Sequence, residues 1–127
     1  MNAHEESIIR SFIAKERRPR WLESLASEKK RGRMVGKLNH CKDLDQRFLS
    51  DLPKGTDVAA TLRAKGAPES CYVISCSDEI DEQEMPLDDA IAKAADTGWG
   101  TIIGCIPGKL AYYYDELGER RMLLERP

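Results

Sequence analysis

The stretch that most constrains the fold is Cys71–Cys76, CYVISC. Successive residues of a strand face opposite ways, so Cys71, Val73 and Ser75 share one side, and Tyr72, Ile74 and Cys76 the other. Neither side carries a charge. A strand of this kind belongs inside a sheet with both faces covered. Helices should therefore pack over one face of that sheet or both.

The residues that follow are well punctuated. Ser77–Met85 reads as an acidic loop with Asp78, Glu79, Asp81, Glu82 and Glu84. Pro86 suits the first position of a helix. Leu87, Ala90, Ile91, Ala94 and Ala95 then recur at helical spacing, and Asp88 and Asp89 favour the positive end of the helix dipole. Gly98 closes the helix. Thr101–Ile106, Lys109–Asp115 and Arg120–Glu125 read as three strands of an antiparallel meander, with a type II turn at Pro107-Gly108. The first is apolar on both faces and should be central. The last carries Arg120, Arg121 and Glu125, with Arg126 beyond, as an edge strand does. The Cys71–Cys76 and Thr101–Ile106 strands should be neighbours; if parallel, the Pro86 helix is their right-handed crossover.

Upstream, Asn2 and Glu5 have the form of a capping box, and Ile8, Ile9, Phe12 and Ile13 form an apolar stripe. Pro19 ends that helix or begins another, which Trp21, Leu22 and Leu25 extend to about Lys30. Lys29–Lys37, KKRGRMVGK, reads as a loop or hinge because of its two glycines and five cations. Leu38, Leu44, Phe48 and Leu49 suggest one side of a helix near Lys42–Ser50. Thr56 or Asp57 caps the next, with Val58, Ala59 and Leu62 inward and Gly66 and Pro68 past its end.

The 127 residues fit a single domain, 1–127, with a basic helical part over 1–54 and an α/β part over 55–127. The expected class is α+β: N-terminal helices, then a helix-strand-helix unit and the three-stranded meander, packed as helices on a small mixed sheet. No long apolar stretch predicts a membrane span or a signal peptide, so a cytoplasmic protein is expected. Cys41, Cys71, Cys76 and Cys105 suit free thiols of a reducing compartment. The pattern YVIS, acidic loop, MPLDDAI, GWGTIIGCIPGKLAYYY looks like a bacterial protein, and that impression carries no function.

The net charge of -2 hides two opposed blocks. Arg10–Lys42 holds 11 Lys and Arg against 3 Asp and Glu, whereas Asp78–Asp96 holds 8 Asp and Glu against 1 Lys. In the basic block Arg17, Arg18, Arg20, Lys29, Lys30, Arg31, Arg33 and Lys37 are candidates for contact with phosphates, and Trp21 for stacking. Nucleic acid or an acidic protein is the partner that residues 10–42 suggest. Tyr112 and Tyr114 share a strand face that would suit a binding surface. An edge strand or the first helix offers a surface for a homodimer.

The acidic loop carries the alternative. Asp78, Glu79, Asp81, Glu82 and Glu84 could hold a divalent cation through oxygen, in a metal-dependent hydrolase of a phosphate ester with an arginine on the phosphate. They do not match a calcium-loop pattern. No nucleophile–base pair is legible and no cofactor is indicated. Gly104–Leu110 fails as a phosphate loop: the glycine spacing is one short, and Leu110 stands where Ser or Thr should be. His40-Cys41 are adjacent, which suits neither a zinc knuckle nor thiolate activation. Trp99, between two glycines, reads as a core aromatic at a tight turn. A non-enzymatic binding or regulatory module is therefore the first expectation.

Overall fold

The strand expected at Cys71–Cys76 runs from Ser70 to Ser75 inside a covered sheet, and Cys76 lies just past its end. The computed structural model describes residues 2–127. Its strands are β1 (Leu49–Asp51), β2 (Ser70–Ser75), β3 (Gln83–Pro86), β4 (Thr101–Ile106), β5 (Leu110–Tyr114) and β6 (Arg121–Glu125). They form one six-stranded sheet in the order β1-β6-β5-β4-β2-β3. Every pairing is antiparallel. The α+β class is as expected, but the small mixed sheet is not: β4, β5 and β6 are the middle of a larger antiparallel one.

Three expectations change with this sheet. First, β2 and β4 are neighbours, Val73 opposite Ile103, but antiparallel. Second, β3 hydrogen-bonds to the other side of β2, Tyr72 opposite Glu84, so the acidic loop is the turn of a hairpin. The helix α5 (Leu87–Thr97) then passes from β3 to β4 across the intervening β2. Third, β6 is not an edge, because Leu124 pairs with Leu49 of β1 as well as Ala111 of β5. The edges are the short β1 and β3.

One face of the sheet receives α1 (Ala3–Phe12), α2 (Arg18–Leu25) and α3 (Glu28–Gly36). Ile8, Ile9, Phe12, Ile13, Trp21, Leu25, Met34 and Val35 pack there on Tyr72, Ile74, Ile102, Tyr113 and Leu124. The other face receives α4 (Val58–Ala64) and α5, where Val58, Leu62, Leu87, Ala90 and Ala94 meet Val73, Ile103, Tyr112 and Leu123. Ile91 is half-buried and Ala95 exposed, so α5 buries a narrower stripe than its spacing suggests.

Local signals explain most helix ends. Glu5 N donates to Asn2 Oδ1 at 2.8 Å, and Ala60 N donates to Asp57 Oδ1 at 3.0 Å. Pro19 lies in the first turn of α2. Gly98 ends α5 in the left-handed region, with φ +72°. By contrast, Lys29–Lys37 is mostly the helix α3 rather than a loop. Ser27 caps it, and Arg31, Met34 and Val35 form its buried side. The expected helix near Lys42–Ser50 is absent. That segment holds a 3-10 turn at Gln46–Phe48 and then β1.

Tyr113 fastens the segment after α3 to the sheet. Its hydroxyl donates to Leu38 O at 2.6 Å and accepts from Cys41 N at 3.0 Å. Tyr113→Phe removes both contacts and leaves buried backbone groups unpaired, so a loss of about 1–3 kcal/mol is expected in urea unfolding. A change within error would show that the hydroxyl does not hold this segment.

Candidate functional site

The two charged blocks meet at one residue. Arg31 points inward from α3 between α1 and the β2–β3 turn. Its Nε donates to Asp81 Oδ2 at 2.8 Å and its Nη2 to Asp81 Oδ1 at 3.0 Å. Nη2 also donates to Glu5 Oε1 at 2.7 Å, and Nη1 donates to Glu5 Oε2 at 3.1 Å and to Leu25 O at 3.2 Å. All five N–H groups of the guanidinium thus have acceptors. Burial works against the charge. Hydrogen bonds to Asp81 and Glu5, and the charges of both, outweigh it and hold the arginine pKa above its ordinary value.

The carboxylates are equally occupied. Glu5 is fully buried and accepts a further bond from Tyr72 Oη at 3.2 Å. Asp81 Oδ1 accepts from Ser75 N at 2.9 Å. Glu82, at φ +63°, reaches Arg31 Nε at 3.1 Å from the exposed rim. Asp78, Glu79 and Glu84 are exposed. The five loop carboxylates therefore do not converge: one is bound to Arg31, one borders it, and three face solvent. Among the described residues no group of three or more His, Cys, Asp or Glu side chains is placed to hold a metal ion.

Several candidates from the basic block serve the fold. Trp21 is buried, and its Nε1 donates to Asp43 Oδ2 at 2.9 Å, so its ring is not open to a ligand. Arg18 Nε donates to Ile13 O at 2.8 Å, and Arg17 lies 3.8 Å from Asp43. Tyr112 and Tyr114 face α5 and are buried, so they offer no open binding surface; burial pushes the Tyr112 hydroxyl up to about 12.

The remaining cations share one place. The inward turn of Trp21 and Leu25 on α2, and of Arg31, Met34 and Val35 on α3, leaves the other sides of both helices in solvent. Between them lies an open groove of about 610 Å³, lined by Arg20, Glu23, Ser24, Lys29, Lys30, Arg33, Met34 and Lys37. Five of these are cationic and one is acidic. Glu23 is already engaged by Lys30 Nζ at 3.0 Å, an exposed pair. Among the described residues no carboxylate lies within ion-pair distance of Arg20, Lys29, Arg33 or Lys37. Arg20, Lys30 and Arg33 are thus brought together, with Lys29 and Lys37 beside them, while Arg17, Arg18 and Arg31 are committed elsewhere.

Beyond Lys37 the chain presses against the sheet end. Gly100 N donates to Asn39 Oδ1 at 2.7 Å, and the Gly100 backbone abuts Leu38. The preceding Trp99 is not a core aromatic: it is 45% exposed, and Leu117 beside it is 73% exposed. These are the large apolar side chains left open to solvent among the described residues. Their exposure has no signal in the sequence beyond the flanking glycines. His40 Nε2 and Glu116 Oε2, 2.9 Å apart, border the same patch.

No protein-family model, curated protein or solved structure matches this chain.

Proposed function

We propose that the protein is a non-enzymatic binding module that holds the phosphate backbone of a nucleic acid in the groove between α2 and α3. The observation that carries this reading is the gathering of five cations around a groove whose single carboxylate is already paired. Regularly spaced phosphates complement such a surface, and the release of their counterions drives binding. The metal-hydrolase alternative draws no comparable support, since Asp81 is spent on Arg31 and its neighbours splay outward. A bacterial cytoplasm suits the four free cysteines, three of them buried.

Binding to a short labelled oligonucleotide across a salt series tests the reading. With four phosphates neutralised, affinity for a single strand should fall about 50-fold between about 50 and 200 mM salt. The double substitution Arg33→Gln, Lys37→Gln should flatten the log–log slope by about 1.4. Absence of binding at low salt, or a slope that the substitutions leave untouched, would remove the groove from this role.

A further inference from the structure

The exposed tryptophan of this fold is joined to the groove through the chain segment that follows Lys37, and it is not the tryptophan of the basic block. Trp21 lies within the basic block but is buried with its indole N–H on Asp43. Trp99 lies far away in sequence, yet the fold ties it to the groove's end. Lys37 lines the groove, Leu38 and Asn39 follow it directly, and both meet Gly100, the residue after Trp99. The indole is left 45% exposed.

The support beneath it is specific. Leu117 N donates to Gly98 O at 2.7 Å, and Leu117 Cδ2 lies 3.3 Å from the point where a Cβ on Gly98 would be. Leu117 adopts φ +62°, ψ +11° to do this, a backbone state that costs a leucine energy. A strained leucine therefore presents its apolar side chain to solvent close to an open indole, and Gly100 links that corner to the residues that follow Lys37 of the groove.

We infer that the ligand of the groove is single-stranded nucleic acid and that Trp99 stacks one of its bases; this rests on the groove reading above. A cationic track with an aromatic platform is how proteins hold single strands without reading sequence, because every base offers a π face. A duplex presents phosphates but keeps its bases stacked inside. An acidic peptide offers a planar group only where it happens to carry an aromatic side chain. An unpaired strand offers a phosphate and a base at every residue, so it uses both features together.

The experiment compares the full-length chain with Trp99→Ala and, separately, with Arg33→Gln, Lys37→Gln. Each is titrated at low salt with a labelled single-stranded oligonucleotide, its duplex, inorganic polyphosphate and poly-glutamate. Trp99→Ala should weaken single-strand binding roughly tenfold to a hundredfold. It should leave polyphosphate binding and the salt slope as they were. Indole emission should be quenched by the single strand in the parent and not in Trp99→Phe, since Trp21 is buried. Thermal unfolding of each variant checks that the fold is kept. If single strands bind with the groove's salt slope but Trp99→Ala changes nothing, the stacking inference is overturned while the groove reading stands. Tighter binding of duplex than of single strand also overturns it. If no nucleic acid or polyphosphate binds, the groove reading itself falls, and poly-glutamate binding alone would reassign the groove to an acidic protein.

Discussion

Arg31→Met should destabilise the protein by about 3–5 kcal/mol, the cost of breaking a buried ion pair from one side. The reason lies in what it leaves behind. Glu5 has no exposure to water, and both its oxygens rest on the guanidinium. Asp81 would lose its other bidentate contact and keep Ser75 N alone. For a domain of this size the melting temperature should drop by on the order of 10–20 °C. Arg31→Lys should recover little, since one ammonium cannot serve two carboxylates as a planar fork does. Adding Glu5→Gln to Arg31→Met should return part of the loss, because the buried carboxylate left without a counter-ion is then gone. Urea unfolding measures all of this; a loss under about 1 kcal/mol would mean that the cluster is solvated after all.

Gly100→Ala carries the second large effect. A Cβ there would fall inside contact distance of Leu38 C, Leu38 O and Asn39 N, all backbone atoms that no rotamer change can move. Three hydrogen bonds run through the same residue: Gly100 N donates to Asn39 Oδ1 at 2.7 Å, and Gly100 O accepts from Cys76 N at 3.0 Å and from Ser75 Oγ at 3.4 Å. The expected loss lies at or above the upper end of the ~1–3 kcal/mol typical of overpacking. Gly104→Ala is the comparison. There the clash is with Ile8 Cδ1 at 2.5 Å, the tip of a flexible side chain, and with the edge of His4 at 3.0 Å. Gly104→Ala should therefore cost less than Gly100→Ala, and the reverse order would refute this account of the close approach. The substitution at Gly100 should also disturb the groove, since Lys37 precedes the displaced residues.

Much of the fold was legible because its elements announce themselves locally. The strand pair β4–β5 is bracketed by Pro107-Gly108, and α5 begins at a proline-marked boundary and ends at a left-handed glycine. α1 and α4 carry the expected side-chain caps at Asn2 and Asp57, but the capping box is only half formed, because the Glu5 carboxylate turns to Arg31 and Tyr72. α3 was not legible for a definite reason. One of its three inward residues is an arginine, and an inward arginine makes no apolar stripe. Glu5 and Asp81, the carboxylates that hold it, lie 26 and 50 residues away. β1 and β3 were missed for a related reason: they are short and polar, and only their pairing with β6 and β2 makes them strands.

The candidate site divides in the same way. Opposed charge blocks can be counted in the sequence, and so can the cations that line the groove. Which of them are free cannot be counted, because freedom depends on what the fold brings near. Arg31 and Asp81 cancel inside the molecule, whereas Arg20, Lys29, Arg33 and Lys37 have no carboxylate within ion-pair distance among the described residues. The two tryptophans exchange the roles their surroundings suggest: Trp21 in the basic block is buried, and Trp99 between glycines is open. Residue type and spacing settle most of the strands and helices of this chain, though not α3, β1 or β3, since capping, periodicity and turn chemistry act over a few residues. The antiparallel order of the six strands, the burial of one arginine and the exposure of one tryptophan depend on contacts between residues tens of positions apart. Those are set by how both faces of the sheet are covered, and only the tertiary structure decides them.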